Sequence, residues 1–113
     1  PQMRLLASRL HDARGQTEKA LDELETLTRE FPELPEPHNN LAVLYARQGR
    51  LQEALASLQR AVQARPDYAV ALENLGDLYL GLALHAYQQA RQSPTPPPSA
   101  ARKAEALAPW LPR

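Results

Sequence analysis

The chain has no cysteine, so neither a disulfide framework nor thiolate chemistry is open to it, and its redox compartment stays undecided. Aromatic residues make up only 5%, which leaves a core of leucine and alanine and argues against a sandwich or barrel. Charge of either sign is not in excess. Thirteen Lys and Arg balance thirteen Asp and Glu, so no overall field draws the protein to nucleic acid or anionic lipid. No apolar run approaches the ~20 residues that a membrane-spanning helix needs, which excludes direct membrane insertion. The four glycines are scattered and form no phosphate-cradling loop. What is present is 43% apolar residues in 113, enough for the core of one domain, and eleven prolines that punctuate it.

The most regular stretch is Asn40 to Pro66. It reads as two amphipathic helices joined by a tight turn, with Leu41, Leu44 and Tyr45 on one face and Leu51, Leu55, Leu58 and Val62 on the other. Gly49 falls where the first helix must stop, since glycine takes the left-handed conformation at little steric cost. Pro66 blocks the second helix. Ala42, Ala54 and Ala61 allow the two backbones to approach closely. One such hairpin cannot bury both of its faces, so it needs copies of itself.

The copies stand 34 residues away. Gly15, Ala20, Leu24, Leu27 and Pro32 become Gly49, Ala54, Leu58, Ala61 and Pro66; Asn40-Leu41-Ala42 and Tyr45 become Asn74-Leu75-Gly76 and Tyr79. In these residues and this period the chain resembles the tetratricopeptide repeat family. The resemblance implies an all-α fold, a right-handed superhelix of helical hairpins, with repeats at 1–34, 35–68 and a truncated, atypical 69–92. Pro1-Gln-Met-Arg, the run from Phe31 to Tyr45, Glu73-Asn-Leu-Gly-Asp-Leu-Tyr and Ala86-Tyr-Gln-Gln-Ala are further similar to a group of proteobacterial tetratricopeptide proteins. Those carry an export signal before the repeats, and some carry a nuclear-transport-factor-like domain after them. This implies an exported, periplasmic location, with a cytoplasmic one as the alternative. The proline-rich stretch and tail stand here in place of such a fused domain. A start at Pro1 without an initiator Met reads as a piece of something longer.

The spacing predicts a first helix from Gln2 to about Ala13, with Met3, Leu6, Ala7 and Leu10 inward. The next, capped by Thr17, carries Ala20, Leu21, Leu24 and Leu27 inward. Pro35 and Pro37 suit the first turn of the third helix, and Asp67 suits the cap of a helix starting near Tyr68. In the third repeat the expected turn near Ala83 is missing. The apolar spacing Leu72, Leu75, Tyr79, Leu82, Ala83, Ala86, Ala90 runs on without a phase break. That predicts one fused helix of roughly 24 residues; a hairpin bent at Gly81 is the alternative. Residues 93–99 form a proline-rich linker. Residues 100–113 hold a capping helix, Ser99 to Ala108 with Ser99 as its cap, and a tail whose Trp110 docks or frays. A fused helix leaves Leu82, Ala83, Ala86, Tyr87 and Ala90 to be covered, either by that tail or, favoured slightly, by a second chain in a swapped homodimer.

No catalytic constellation emerges. Glu23 and Glu25 diverge on their helix, and His11, His38 and His85 lack metal-ligand spacing. His11 and His38 stand where the repeat expects aromatics, which points to packing. Arg47, Arg50, Arg60 and Arg65 are spread over two helices without interleaved aromatics, a poor match to nucleic-acid binding. The reading is therefore no enzyme, no cofactor and no metal, but a protein-interaction scaffold. In the family, first helices line a concave side that takes peptides. The corresponding residues here are Gln2, Leu5, Arg9, Asn39, Val43, Arg47, Glu73, Asn74, Asp77 and Leu80. The family's carboxylate clamp is not carried over, because Leu5 and Val70 occupy two of its basic positions. A purely structural oligomerisation module is the alternative function.

Overall fold

The computed structural model describes residues 16–112, so the expected first helix, including Arg9 and His11, lies outside the described residues. The described residues contain helices and no strand. They are α1 (Thr17–Glu30), α2 (Pro35–Arg47), α3 (Leu51–Ala64), α4 (Ala69–Arg91), α5 (Pro98–Leu107) and a 3-10 turn, Ala108–Trp110. The chain divides into two compact units, Pro1–Glu73 and Asn74–Arg113, with the division falling inside α4.

The 34-residue period is visible in the backbone. α1 and α3 have the same length and begin 34 residues apart, as do the starts of α2 and α4. Both connections close alike: Phe31 N–H donates to Leu27 and Leu34 N–H to Phe31, at 2.9 and 3.1 Å; Arg65 and Tyr68 repeat this on Ala61 and Arg65, at 3.0 and 3.1 Å. Pro32 and Pro66 hold the turns between, and Pro35 opens α2, where a missing N–H is harmless.

α2 ends in a Schellman turn. Gly49, at φ +75°, is the left-handed residue. Its N–H donates to Ala46 at 3.0 Å and the Arg50 N–H reaches back to Tyr45 at 2.9 Å, which satisfies carbonyls left over at the helix end. The Arg50 guanidinium then lies 4.5 Å from the Tyr45 ring centroid and grips Glu53 with two hydrogen bonds, Nε at 2.8 Å. One arginine thus ties the end of α2 to the first turn of α3.

The core of the first unit follows from small residues at the helix crossings. Ala20, Ala54 and Ala61 are fully buried and Ala42 nearly so. On α3 the buried stripe is Ala54, Ser57, Leu58 and Ala61, while Leu51, Leu55 and Val62 are half-buried. The buried face is rotated from the expected leucine face towards the alanines, whose small side chains suit a close helix contact. His38 is buried, with Nε2 2.9 Å from the Pro32 carbonyl. A carbonyl can only accept, so Nε2 carries the proton; Nδ1 is buried without a partner among the described residues.

α4 is the uninterrupted helix that the unbroken apolar spacing predicts, 23 residues and about 35 Å long. In the second unit α5 returns beside its second half. Leu111 comes within 3.9 Å of the position a Cβ would take on Gly81, and the Lys103 ammonium lies 5.6 Å from the Tyr87 ring centroid. Ala100 and Ala104 are buried, as is Leu84. Trp110 does not dock. It is 75% exposed on the 3-10 turn, and Leu111 takes the inward place.

Three expected caps are corrected. Thr17 is already the first helical residue, after Gln16. Ser99 lies inside α5, because Pro98, whose ring suits a first helical position, begins the helix one residue earlier. α4 begins at Ala69, leaving Asp67 in the turn, where it accepts from Arg65 at 3.4 Å.

Replacing Ala54 by Leu should overpack the α2–α3 crossing and cost about 1–3 kcal/mol, read as a lower denaturation midpoint. The Arg50 hydrogen bond holds the Glu53 carboxyl below the usual glutamate range. A carboxylate with a depressed folded pKa stabilises above its unfolded pKa, and that contribution is lost as pH falls through the folded one. The Glu53 carbon resonance should therefore titrate below the ordinary glutamate midpoint, and return towards it in Arg50→Gln.

Candidate functional site

α2 is packed from two sides, by α1 and by α3. Pro37, His38, Asn39, Leu41, Ala42, Leu44 and Tyr45 are all buried, an arc too wide for a helix with a single neighbour. Val43, half-buried, and Arg47, exposed, remain towards solvent. Four residues apart, they lie on one line of the helix surface. Of the residues expected to meet a partner, these two present side chains outward from α2. Asn39 is only 5% exposed, held within the α2 packing. Glu73 is exposed at the end of the first unit, and in the second unit Asn74, Asp77 and Leu80 are half-buried along α4. Arg9 lies outside the described residues.

A groove of about 290 Å³ opens in the first unit where α1, α2 and α3 meet. Glu25 and Arg29 line it from α1, Tyr45 from α2, and Glu53, Ser57 and Arg60 from α3. Burial raises the Tyr45 phenol pKa, reinforced by the nearby Glu25 carboxylate to which the phenol hydrogen-bonds. Tyr45 therefore stays neutral and donating at any physiological pH. Glu53 is occupied by Arg50, and Arg29 donates to Thr26 Oγ1 at 3.2 Å. Two carboxylates and two guanidinium groups share the lining, so the groove exerts little net pull on an ion of either sign. Spacing along one helix could not reveal it. Arg60 counts in the sequence only as one of several scattered cations, and three helices must come together before it shares a lining with Glu25.

Among the described residues no group of three or more His, Cys, Asp or Glu side chains could hold a metal ion. No described helix is long and apolar enough to cross a membrane. The arrangement offers shape, apolar surface and a few charged side chains, which suits recognition of another chain.

Known proteins agree with this architecture. The tetratricopeptide repeat family profile matches residues 5–69. The chain is also similar to the Arabidopsis thaliana tetratricopeptide repeat domain-containing protein PYG7, chloroplastic, with 37% identity over 62 residues. That match covers 50% of this chain and 21% of the plant protein, so the chain spans about a fifth of that relative's length. With the family profile matched over more than half of its length, and the same 34-residue period written into its helices and turns, the chain belongs to the tetratricopeptide repeat family.

Proposed function

We propose that this chain is an interaction scaffold that takes a protein or peptide partner on the outward side of its first-repeat-position helices. Tetratricopeptide repeats are generally protein–protein interaction modules and generally non-catalytic. The observation that carries the reading is the division of labour on α2. Its buried arc is committed to α1 and α3, while Val43 and Arg47 are left side by side towards solvent. An apolar side chain next to a guanidinium fits a partner segment that sets an apolar residue beside a carboxylate. On α4, Asn74, Asp77 and Leu80 in the second unit and Glu73 in the first are further candidates, whose share in binding is separately testable. Asn39, being buried, contributes by holding α2 in place.

The test starts from a partner captured with the intact chain and then measured by titration calorimetry. Arg47→Glu and Val43→Asp should each weaken that complex about tenfold or more, equivalent to about 1.4 kcal/mol, with an unchanged circular dichroism spectrum. Asn74→Ala should weaken it too if the α4 set takes part. Equal affinity for all the variants would move the binding site away from these helices.

A further inference from the structure

α4 carries a second feature that partner binding through α2 does not use. Leu72, Gly76, Tyr79, Ala83, Ala86 and Ala90 follow one another in alternating steps of four and three along a single continuous helix. That is the spacing of the a and d positions of a heptad, the seam of a helix pair. In the middle repeat the positions equivalent to Leu72, Gly76 and Tyr79 are His38, Ala42 and Tyr45. These are 3%, 2% and 7% exposed, buried as α2 packs between α1 and α3. On α4 the turn that would have brought back a second helix is gone. Leu72 is 44% and Tyr79 49% exposed, and open space stands where a Cβ on Gly76 would be. The returning tail meets the helix at Gly81, on the side away from this seam, and at Tyr87, on the seam's margin.

We infer that two copies of this chain pair through this seam, α4 against α4 in antiparallel fashion about a two-fold axis near residue 81. The sequence of the seam is self-complementary in size only in that orientation. Tyr79 of one copy then meets Ala83 of the other and Leu72 meets Ala90, so each large side chain finds a small one, while Gly76 meets Ala86. A parallel pair would set Tyr79 against Tyr79 and leave a gap at Gly76. Charge selects the same orientation. Glu73 and Asp77 lie towards the N-terminal end of α4, and no Lys or Arg stands between them and Arg91. Arg91 and the Lys103 ammonium over Tyr87 lie at the other end. Antiparallel pairing brings the acidic end of each copy to the basic end of its mate, whereas parallel pairing sets acid against acid. Small residues at every seventh position, Gly76, Ala83 and Ala90, allow the backbones to come close. The pairing uses no residue of α2, so its test is separate from the one on Val43 and Arg47.

Sedimentation velocity on the full chain tests it. A concentration-dependent monomer–dimer equilibrium is expected, and Ala83→Glu or Ala86→Glu should each raise the dimer dissociation constant by about tenfold or more with helicity retained. Because the chain has no cysteine, orientation can be read by cross-linking. A mixture of Tyr79→Cys and Ala83→Cys chains should form the mixed disulfide in preference to either like pair. A monomer at every concentration would overturn the inference. So would a dimer indifferent to both glutamates, or preferential Tyr79→Cys self-pairing.

Discussion

The close approach of α2 and α3 is the constraint on which the first unit depends. Two helices can share so narrow a gap only where small side chains stand at the crossing, and Ala42, Ala54 and Ala61 supply them. The gap also requires a reversal in very few residues. Gly49 at positive φ makes that reversal, and Arg50 fastens it by covering Tyr45 and holding Glu53. In α4 the reversal is absent. Where Gly49 has its counterpart the chain places Ala83, which has no preference for the left-handed conformation, and the helix continues. Equivalent residues that one repeat buries are then left on the surface of the next.

Features that depend on local chemistry and period are legible in the amino-acid sequence alone. The 34-residue shift places α1 and α3 in the same register, Gly49 adopts the conformation its position asks for, and the unbroken apolar spacing after Tyr79 becomes one helix. Features decided by neighbours are not legible in this way. The buried face of α3 is set by contact with α2, so Leu51, Leu55 and Val62 come to lie at its margins. Thr17, Asp67 and Ser99 all suit a cap, but a cap is fixed by where the helical dihedrals begin, and each of these helices begins one or two residues from the expected place. In the tail, Leu111 and Trp110 compete for one inward place and the smaller side chain takes it beside Gly81.

The candidate site is legible to the same partial degree. The helical period is enough to put Val43 and Arg47 on one line, and they do face outward. It could not show that Asn39 is enclosed, because that depends on the helices packed beside α2. Nor could it show the groove among Glu25, Tyr45 and Arg60, which exists only once three helices are assembled. Both surfaces have one origin. The middle repeat buries two sides of its first helix and leaves a third towards solvent; a repeat without its second helix leaves one side more.

The third repeat differs from the middle one because α4 is one continuous helix, and a distance within it tests that most directly. Spin labels on Glu73→Cys and Arg91→Cys, with labelled chains diluted into unlabelled ones, report a single intramolecular separation in a chain without other cysteines. Eighteen residues of uninterrupted helix place the two backbones about 27 Å apart. A separation near 10 Å, the spacing of two helices packed side by side, would mean that the third repeat closes its hairpin after all, and would contradict a continuous α4.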